Sequence, residues 1–464
     1  MNNIFYKLFI GVGIVAMVGL SSCDVDRVND PNNPSLASVT ADASKAELQV
    51  LVTGLEARNR GYVTNSAQMF GSFGREVYAF FGSDPRFLND WLGLGGNAET
   101  YPDFFASGGT YVNPYLAVKQ ANVLISAANN STQLTTEETF GYTGFAKTIK
   151  GFQLLWPLLQ QFENGIRVDV EDPLNPGPTL GFDAALTEIR SILDEGFTDL
   201  DKAGGSFSFN LTAGFGDESD PDDVLYKNPT AMRQINRAIA ARAALYAEDY
   251  GGALTALSES FMNLDAANAQ DLLEGPTHVY GNAPDVNNPL FYPLDASTST
   301  ILIVHPRMIE DALPGDVRVT TKFAERVNNP ITDASLNDVA TSDPIVGAYQ
   351  DARWTSNISP IPMIRNEELI LIYAEAQARQ GGDAVSAINT IRNIWEVGDY
   401  TGGTSTDELI DEILFQRRYS LWLEGHHWVD MRRLGRLNEI DTREGGTIYT
   451  QVERRVSEIA WDEG

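Results

Sequence analysis

Cysteine and basic side chains are both scarce in this sequence, and each scarcity excludes something. Cys23 is the single cysteine in 464 residues, so no intramolecular disulfide can form. Lys and Arg number 33 against 63 Asp and Glu, which gives a formal net charge of −30. A field of this sign repels phosphate backbones and argues against nucleic acid as a partner. No apolar run approaches the roughly 20 residues that a membrane-spanning helix needs.

The N-terminus has the organisation of a secretory leader. Lys7 precedes an apolar and glycine stretch at 8–20, which is long enough for a signal-peptide core and too short to span a bilayer. Ser21 and Ser22 then lead into Cys23, an order that resembles a lipobox, in which the cysteine is acylated and the leader is removed. A catalytic role for Cys23 is the alternative, but no neighbour suited to activating a thiol lies beside it. The sequence therefore predicts a signal peptide at 1–22, lipidation at Cys23 and membrane contact through this anchor only.

The residues after the leader predict a tether and a folded body. Residues 23–40 are polar and turn-rich, with Pro31 and Pro34 among asparagines and aspartates. The predicted body is 41–464. Hydrophobic residues make up 43% of the whole chain, which is enough for the body to form a large core. Apolar residues recur at helical spacing in pairs of segments, which are 114–129 with 138–163, 183–200 with 230–250, and a last pair near the C-terminus that is followed by a long helix.

The C-terminal segments carry the clearest helix signals. One helix is predicted to end at Gly381, with Asp383 capping the next, and Ser405 with Glu408 forms a capping box that opens a long helix up to Gly425. Pro157 predicts a kink or an early stop in the helix that contains it. Together the pairs predict a mainly α fold, an irregular tetratricopeptide-like stack of about four helix hairpins. Long loop-rich insertions at 61–113, 205–229 and 274–362 are expected to form the ligand-binding face.

The C-terminal third resembles a known family. The stretches 367–376 and 387–392 are similar to motifs of the SusD/RagB family of outer-membrane nutrient-binding lipoproteins, and the stretch 416–433 (QRRYSLWLEGHHWVDMRR) is the most specific match. The family usually has Glu, Glu and Arg where this chain has Gln416, Ser420 and His427. The segment 144–170 resembles the family's second helical pair more loosely.

The resemblance implies a function. Members of the family are non-catalytic lipoproteins on the cell surface, where each covers a SusC-like TonB-dependent transporter. They capture a glycan or a peptide and pass it inward. The resemblance therefore implies an outer-membrane location, a transporter partner, an oligosaccharide or peptide ligand, and no cofactor.

The charged residues of the C-terminal motif are interpreted as structural. His426 and His427 are adjacent, so their side chains point about 100° apart on a helix and do not share a metal ion easily. The remaining charged residues are predicted to tie the last hairpin to its neighbours; they are Arg417, Arg418, Glu424, Asp430 and Arg433. An acidic loop at 217–223 lacks the alternating ligands and central glycine of an EF-hand, so a solvated turn is favoured over a calcium site.

Aromatic residues concentrate where a ligand site is expected. Residues 62–115 contain 13 aromatics, more than twice the average density of the chain, among many glycines. Aromatic faces stack on sugar rings while polar groups orient the hydroxyls. The predicted contacts in this segment are Arg75, Arg86, Trp91, Asn97 and Tyr101. Trp354, beside Arg353, is predicted as a second wall.

Two other classes of function are left open by the residues. A surface glycoside hydrolase needs two carboxylates across a cleft, and the many acidic residues do not exclude this arrangement. A tetratricopeptide-type scaffold that binds only other proteins would need no aromatic loop at 61–113. The binding-lipoprotein interpretation is favoured because the leader, the C-terminal motif and the aromatic loop all agree with it.

Overall fold

The computed structural model describes residues 40–94, 103–220, 224–298, 300–332 and 345–463. About 52% of the chain is helical and strands are few, which confirms the predicted mainly α class. Cys23 and almost all of the predicted tether lie outside the described residues. No described helix combines the length and the apolar character needed to cross a membrane.

The helices follow the chain in this order: α1 (Lys45–Asn59), α2 (Val63–Phe73), α3 (Arg86–Asn89), α4 (Val112–Asn130), α5 (Thr136–Gln161), α6 (Phe182–Asp201), α7 (Pro229–Tyr246), α8 (Tyr250–Ser258), α9 (Ala269–Leu273), α10 (Arg307–Glu310), α11 (Val317–Lys322), α12 (Asn366–Gln380), α13 (Ala384–Ile394), α14 (Thr406–Ser420), α15 (His427–Arg433) and α16 (Val456–Glu463). The strands are β1 (Val77–Phe81), β2 (Ile166–Arg167), β3 (Thr179–Leu180), β4 (Thr277–His278), β5 (Thr300–Val304), β6 (Phe323–Glu325), β7 (Tyr349–Asp351) and β8 (Ile361–Pro362).

Successive helices pack in layers, which confirms the tetratricopeptide-like stack. Helix α5 lies between α4 and α6, α7 packs on α6 and α8, and α12 packs on α8, α13 and α14. Two glycines of α5 permit the close approach of α6. A Cβ atom at Gly144 would lie 2.7 Å from Leu200, and one at Gly151 would lie 2.6 Å from Leu193. Larger residues at these positions would push the layers apart.

Local signals in the sequence set most helix ends. Ser405 and Glu408 form the predicted capping box of α14, and α12 ends at Gly381 with a φ of 73°. One predicted end is wrong. Helix α14 ends at Ser420 rather than near Gly425, because the backbone turns there with positive φ angles at Leu423 and Gly425. Of the two effects predicted for Pro157, the early stop does not occur: helix α5 continues to Gln161, since its last turns are buried on every side and packing offsets the lost hydrogen bond.

The predicted loop-rich insertions contain regular structure that the sequence interpretation missed. Strands β1, β5, β7 and β6 form a four-stranded antiparallel sheet in that order, with Tyr78 opposite Ile303. The sheet joins the 61–113 insertion to the 274–362 insertion, and α2 lies in the first of them. Apolar residues on one face of the sheet form a small separate core, which includes Tyr78, Leu88 and Ile301.

The chain after α15 returns across the insertions and supports the site described below. The Thr447 amide donates to the Leu92 carbonyl at 2.9 Å, and the Tyr449 hydroxyl donates to the Asp90 carbonyl at 2.8 Å. The indole of Trp428 donates to the Tyr449 carbonyl at 2.7 Å. The C-terminal motif thereby holds the glycine-rich segment around residue 91 in place.

Candidate ligand-binding surfaces

Three phenylalanine rings form a partly exposed shelf on the first insertion. We call Phe81, Phe87 and Phe105, with Arg86 beside them, the aromatic ledge. The rings of Phe81 and Phe87 are stacked with centroids 3.9 Å apart, and Phe105 meets Phe87 edge-to-face at 4.9 Å. All three rings are half-buried. The ledge therefore offers apolar surface to a ligand while its own packing holds the rings rigid.

A charged pair borders the aromatic ledge. The guanidinium carbon of Arg86 lies 4.3 Å from the centroid of Phe105, a cation–π contact. Arg86 also forms two hydrogen bonds with the carboxylate of Asp84, at 2.9 and 2.6 Å. These hydrogen bonds lower the pKa of Asp84, so the carboxyl group stays ionised at neutral pH. The side chain of Arg86 is 45% exposed and that of Asp84 is 26% exposed, so both reach the solvent at the edge of the ledge.

Trp91 lies beneath the ledge rather than on its surface, and the prediction that it contacts ligand is corrected. Its side chain is 1% exposed, its ring packs edge-to-face on Phe87 at 4.9 Å, and its indole N–H donates to the Phe105 carbonyl at 3.1 Å. A large ring buried in the core leaves no face for a sugar. Trp91 supports the residues that do have exposed surface.

Arg75 is also buried, and its predicted ligand contact is corrected in the same way. The side chain is 1% exposed and forms an ion pair with Glu444, which is itself 1% exposed. Arg75 donates further hydrogen bonds to the carbonyls of Ser72 and Leu92, at 2.8 and 2.9 Å. Burial lowers the pKa of Arg75, and Glu444 opposes that effect. The pair joins the C-terminal segment to the ledge region. Asn97 and Tyr101 lie outside the described residues and remain predictions.

Trp354 lines a different concavity, the Trp354 crevice, between α2, α5 and the chain around Glu424. Residues that line it include Tyr62, Trp156 and Glu424. The crevice has a volume of about 20 Å³. A single water needs ~10–15 Å³ on this measure, so the crevice as it stands does not admit a sugar ring. Trp354 is half-buried, and its ligand contact remains a prediction.

Arg353 explains why the crevice is closed. Its guanidinium carbon lies 4.9 Å from the ring of Trp354 and 4.8 Å from that of Trp422, and it donates to Asp351 and to the Trp422 carbonyl. Tyr62 stacks on Trp156 with centroids 4.1 Å apart at the other side. The aromatic groups there are engaged with each other and with Arg353.

The charged residues of the C-terminal motif are structural, as predicted. Arg417 pairs with Asp430 at 2.6 Å, and Arg433 binds Asp430 and Glu375 at 3.0 and 2.6 Å. Two further pairs join the motif to more distant helices; they are Arg418 with Asp311 at 3.1 Å and Arg365 with Glu424 at 2.8 Å.

Of the two adjacent histidines, His426 is buried and His427 is half-buried, and both are neutral. Burial lowers the pKa of His426 to about 4 and that of His427 to about 3. Although His426 lies 3.6 Å from Glu368, the counterion of Glu368 is Arg242, which holds it through two hydrogen bonds of 2.6 Å. Within the described ranges, no three His, Cys, Asp or Glu side chains are grouped to hold a metal ion.

The comparisons with known proteins agree with the family indicated by the motif. Residues 340–462 match the family model of the SusD family. No curated protein sequence matches the chain. The predicted resemblance to the SusD/RagB family is confirmed by this match together with the fold.

Solved structures share the fold over most of the chain. A SusD superfamily protein from Bacteroides vulgatus ATCC 8482 has a TM-score of 0.64 and 14% identity, over 87% of this chain and 92% of that chain. Surface glycan-binding protein A from Bacteroides thetaiotaomicron in complex with laminarihexaose has a TM-score of 0.63 and 15% identity, over 90% and 98%. The surface glycan-binding protein A from Bacteroides uniformis has a TM-score of 0.62 and 15% identity, over 88% and 92%. At these identities the likeness concerns the fold.

Proposed function

We propose that this chain is a non-catalytic, lipid-anchored nutrient-binding protein of the outer cell surface. It captures an oligosaccharide on the aromatic ledge and delivers it to a SusC-like TonB-dependent transporter. The match of the C-terminal region to the SusD family supports the class of function, and the glycan-binding names of several structural relatives favour a sugar over a peptide. The predicted acylation of Cys23 supports the location.

The single observation that carries the site is the arrangement of the aromatic ledge. A sugar ring has apolar C–H faces and polar hydroxyls at its rim, and the ledge has the complementary order. Apolar faces of Phe87 and Phe105 lie next to the donors of Arg86 and the acceptors of Asp84. Few torsions are left free because the rings pack on each other and on Trp91. Preorganised contacts of this kind lose little entropy when a ligand binds.

The carboxylates near the ledge argue for binding rather than hydrolysis. Asp84 is ion-paired with Arg86, and its lowered pKa makes it a poor general acid. Asp90 is 1% exposed, and Asp103 accepts the Val456 amide and pairs with Arg455. Hydrolysis needs a protonated acid and a second carboxylate on the two sides of a bound sugar. None of these three described carboxylates is free for either role.

The test is isothermal titration of the soluble chain, beginning after Cys23, against a panel of neutral oligosaccharides and short peptides. Phe105→Ala removes a half-buried ring of the ledge, and Phe207→Ala removes an equally half-buried ring that stacks on Phe209 elsewhere in the fold. We expect saturable binding of an oligosaccharide without product formation. Phe105→Ala should weaken it about tenfold, or about 1.4 kcal/mol, and Phe207→Ala should leave it unchanged. Binding of peptides alone, or equal affinities in both variants, would contradict the proposal.

A further inference from the structure

The outer face of α4 forms one wall of a groove of about 870 Å³, which we call the α4 groove. Its lining residues on α4 recur every three or four positions from Val112 to Asn130, so they lie along one face of the helix. The loop between β2 and β3 and the helix α16 form the other walls. The groove is as large as a typical ligand pocket, which has ~300–1,000 Å³.

Apolar side chains in the α4 groove are left open to solvent. Val112 is 39% exposed, Leu116 is 38% exposed and Trp461 is 52% exposed. Isolated exposed apolar residues are ordinary, but a group that shares one concave surface marks an interaction site.

The first residue that the structure describes, Thr40, lies at the α4 groove. Thr40 is one of its lining residues, and its carbonyl accepts a hydrogen bond of 2.9 Å from the side chain of Asn130. The carboxylate of Asp42 accepts the amide of Thr132 at 2.8 Å. These contacts fix the start of the body to the C-terminal end of α4. The residues that precede Thr40 therefore leave from one end of the groove.

The segment before Thr40 has the length to occupy the groove. Residues 24–39 are about 16 residues, which at roughly 3.3 Å each extend up to ~50 Å. Helix α4 has 19 residues and is ~28 Å long at 1.5 Å per residue. The segment can follow the whole groove and still leave residues next to Cys23.

The composition of the segment suits the groove. Five apolar residues, Val25, Val28, Leu36, Ala37 and Val39, are spread through it. Its charged residues are three aspartates and one arginine, so its net charge is negative. Within the described part of the chain, Lys119 on the groove face of α4 is exposed and has no ion-pair partner, whereas Glu171 pairs with Lys150 and Glu458 with Arg167. A cation without a partner favours an acidic occupant.

We propose that residues 24–39 bind along the α4 groove and cover Leu116 and Trp461. Because the segment is part of the same chain, its effective concentration is on the order of millimolar, and weak contacts suffice to hold it. The segment then acts as a docked strap rather than a free linker. With Cys23 acylated as proposed above, the strap determines which face of the body is turned towards the membrane.

Thiol modification tests the strap directly, because replacing Cys23 with Ser leaves no other cysteine in the chain. The mature chain with Cys23→Ser receives either Leu116→Cys, inside the groove, or Leu273→Cys. Leu273 ends α9, is 44% exposed and does not line the groove, so it is the matched control. Each protein is made with the natural segment and with a polar segment carrying Val28→Ser, Leu36→Ser and Val39→Ser. Thermal melting shows whether all four proteins are folded, and the maleimide reaction rate is measured for each.

We expect the polar segment to speed the reaction at Leu116→Cys several-fold and to leave the rate at Leu273→Cys unchanged. Equal rates at Leu116→Cys with both segments would overturn the proposal. Faster reaction at both positions would overturn it as well, because that result reports general loosening of the body. Slower reaction at Leu116→Cys with rising protein concentration, whatever the segment, would assign the groove to a second copy. Oligosaccharide titration of the same proteins tests the aromatic ledge independently, so failure of the strap is distinguishable from failure of the proposed function.

Discussion

The guanidinium group of Arg86 lies over the ring of Phe105, with its central carbon 4.3 Å from the ring centroid, while its N–H groups bind Asp84. The contact joins residues from the two sides of the segment 95–102, which contains the predicted ligand contacts Asn97 and Tyr101. The same arrangement combines an apolar ring, a cation and an anion in one small surface. The aromatic ledge is therefore the candidate site on which the first prediction rests.

Two replacements of Arg86 distinguish the contribution of its positive charge to ligand binding from that of its planar guanidinium group. Arg86→Ala should weaken oligosaccharide binding about five- to tenfold, which corresponds to about 1–1.4 kcal/mol. The variant removes a hydrogen-bond donor to the ligand and the cation–π contact with the ring of Phe105. Arg86→Lys keeps the charge and loses the planar fork, so an intermediate affinity is expected. Isothermal titration measures both variants. Equal affinity of wild type and Arg86→Ala would exclude Arg86 as a ligand contact.

Trp91→Ala should act on stability. Truncating a buried tryptophan removes packing under Phe87 and the hydrogen bond to Phe105, and such changes cost about 3–5 kcal/mol of unfolding free energy. Leu294→Ala, at a leucine that is 59% exposed, should change the unfolding free energy by about 0.5 kcal/mol or less. Urea denaturation checks both values. Loss of binding without loss of stability in Trp91→Ala would restore Trp91 as a direct contact.

The pair of Arg75 and Glu444 supports a third prediction. Glu444→Gln leaves a buried arginine without a counterion, which should lower the unfolding free energy by about 3–5 kcal/mol. The double variant Arg75→Met, Glu444→Met removes both charges and should be more stable than Glu444→Gln. If the double variant were less stable than Glu444→Gln, the unpaired charge of Arg75 would not be the cause of the lost stability. Denaturant titration of the two variants decides the point.

Glu76 should make the folded protein less stable as pH rises above neutral. Burial raises its pKa to about 8, and the Leu423 amide, which donates to one carboxyl oxygen, offsets this effect only in part. The other carboxyl oxygen is buried without a hydrogen-bond partner. The unfolded chain releases this proton near the ordinary value of ~4.3, so between pH 4.3 and 8 the folded state holds more protons. The stability that Glu76 contributes should therefore decline as pH rises through this window and level off above about 8.

The matched variant is Glu76→Gln, which stays neutral at every pH. Its unfolding free energy should fall less than that of wild type between pH 6 and 9, as measured by urea denaturation at each pH. Parallel pH profiles of the two proteins would show that Glu76 is ionised in the folded protein at neutral pH.

Much of the helical scaffold could be predicted because its signals are local. The buried residues of α6, which include Leu186, Ile189 and Leu193, follow helical spacing. Helix α1 was missed although Ser44 and Glu47 form a capping box that could have revealed it. Helix α2 was missed although Val63, Ala67 and Phe70 follow helical spacing within it. Strands β1 and β5 are five-residue runs, too short to distinguish a strand from a helix segment by pattern.

The sequence indicates an aromatic-rich region but not which of its rings have exposed surface. The density of aromatics at 62–115 predicts a ligand-binding segment, and this stays a prediction. Which rings face solvent depends on the C-terminal chain around Tyr449 and Glu444, more than 300 positions away in sequence. Local pattern contains no information on that contact. The pattern therefore favours Trp91, the largest ring, whereas Phe87 and Phe105 are the rings that remain partly exposed.

The most direct test of the central claim is a crystal structure of the soluble chain with the oligosaccharide that binds most tightly in titration. The account predicts a sugar ring against Phe87 and Phe105, with hydroxyl groups within hydrogen-bond distance of Arg86 or Asp84. A sugar found in the Trp354 crevice or in the α4 groove, with the aromatic ledge vacant, would contradict the account.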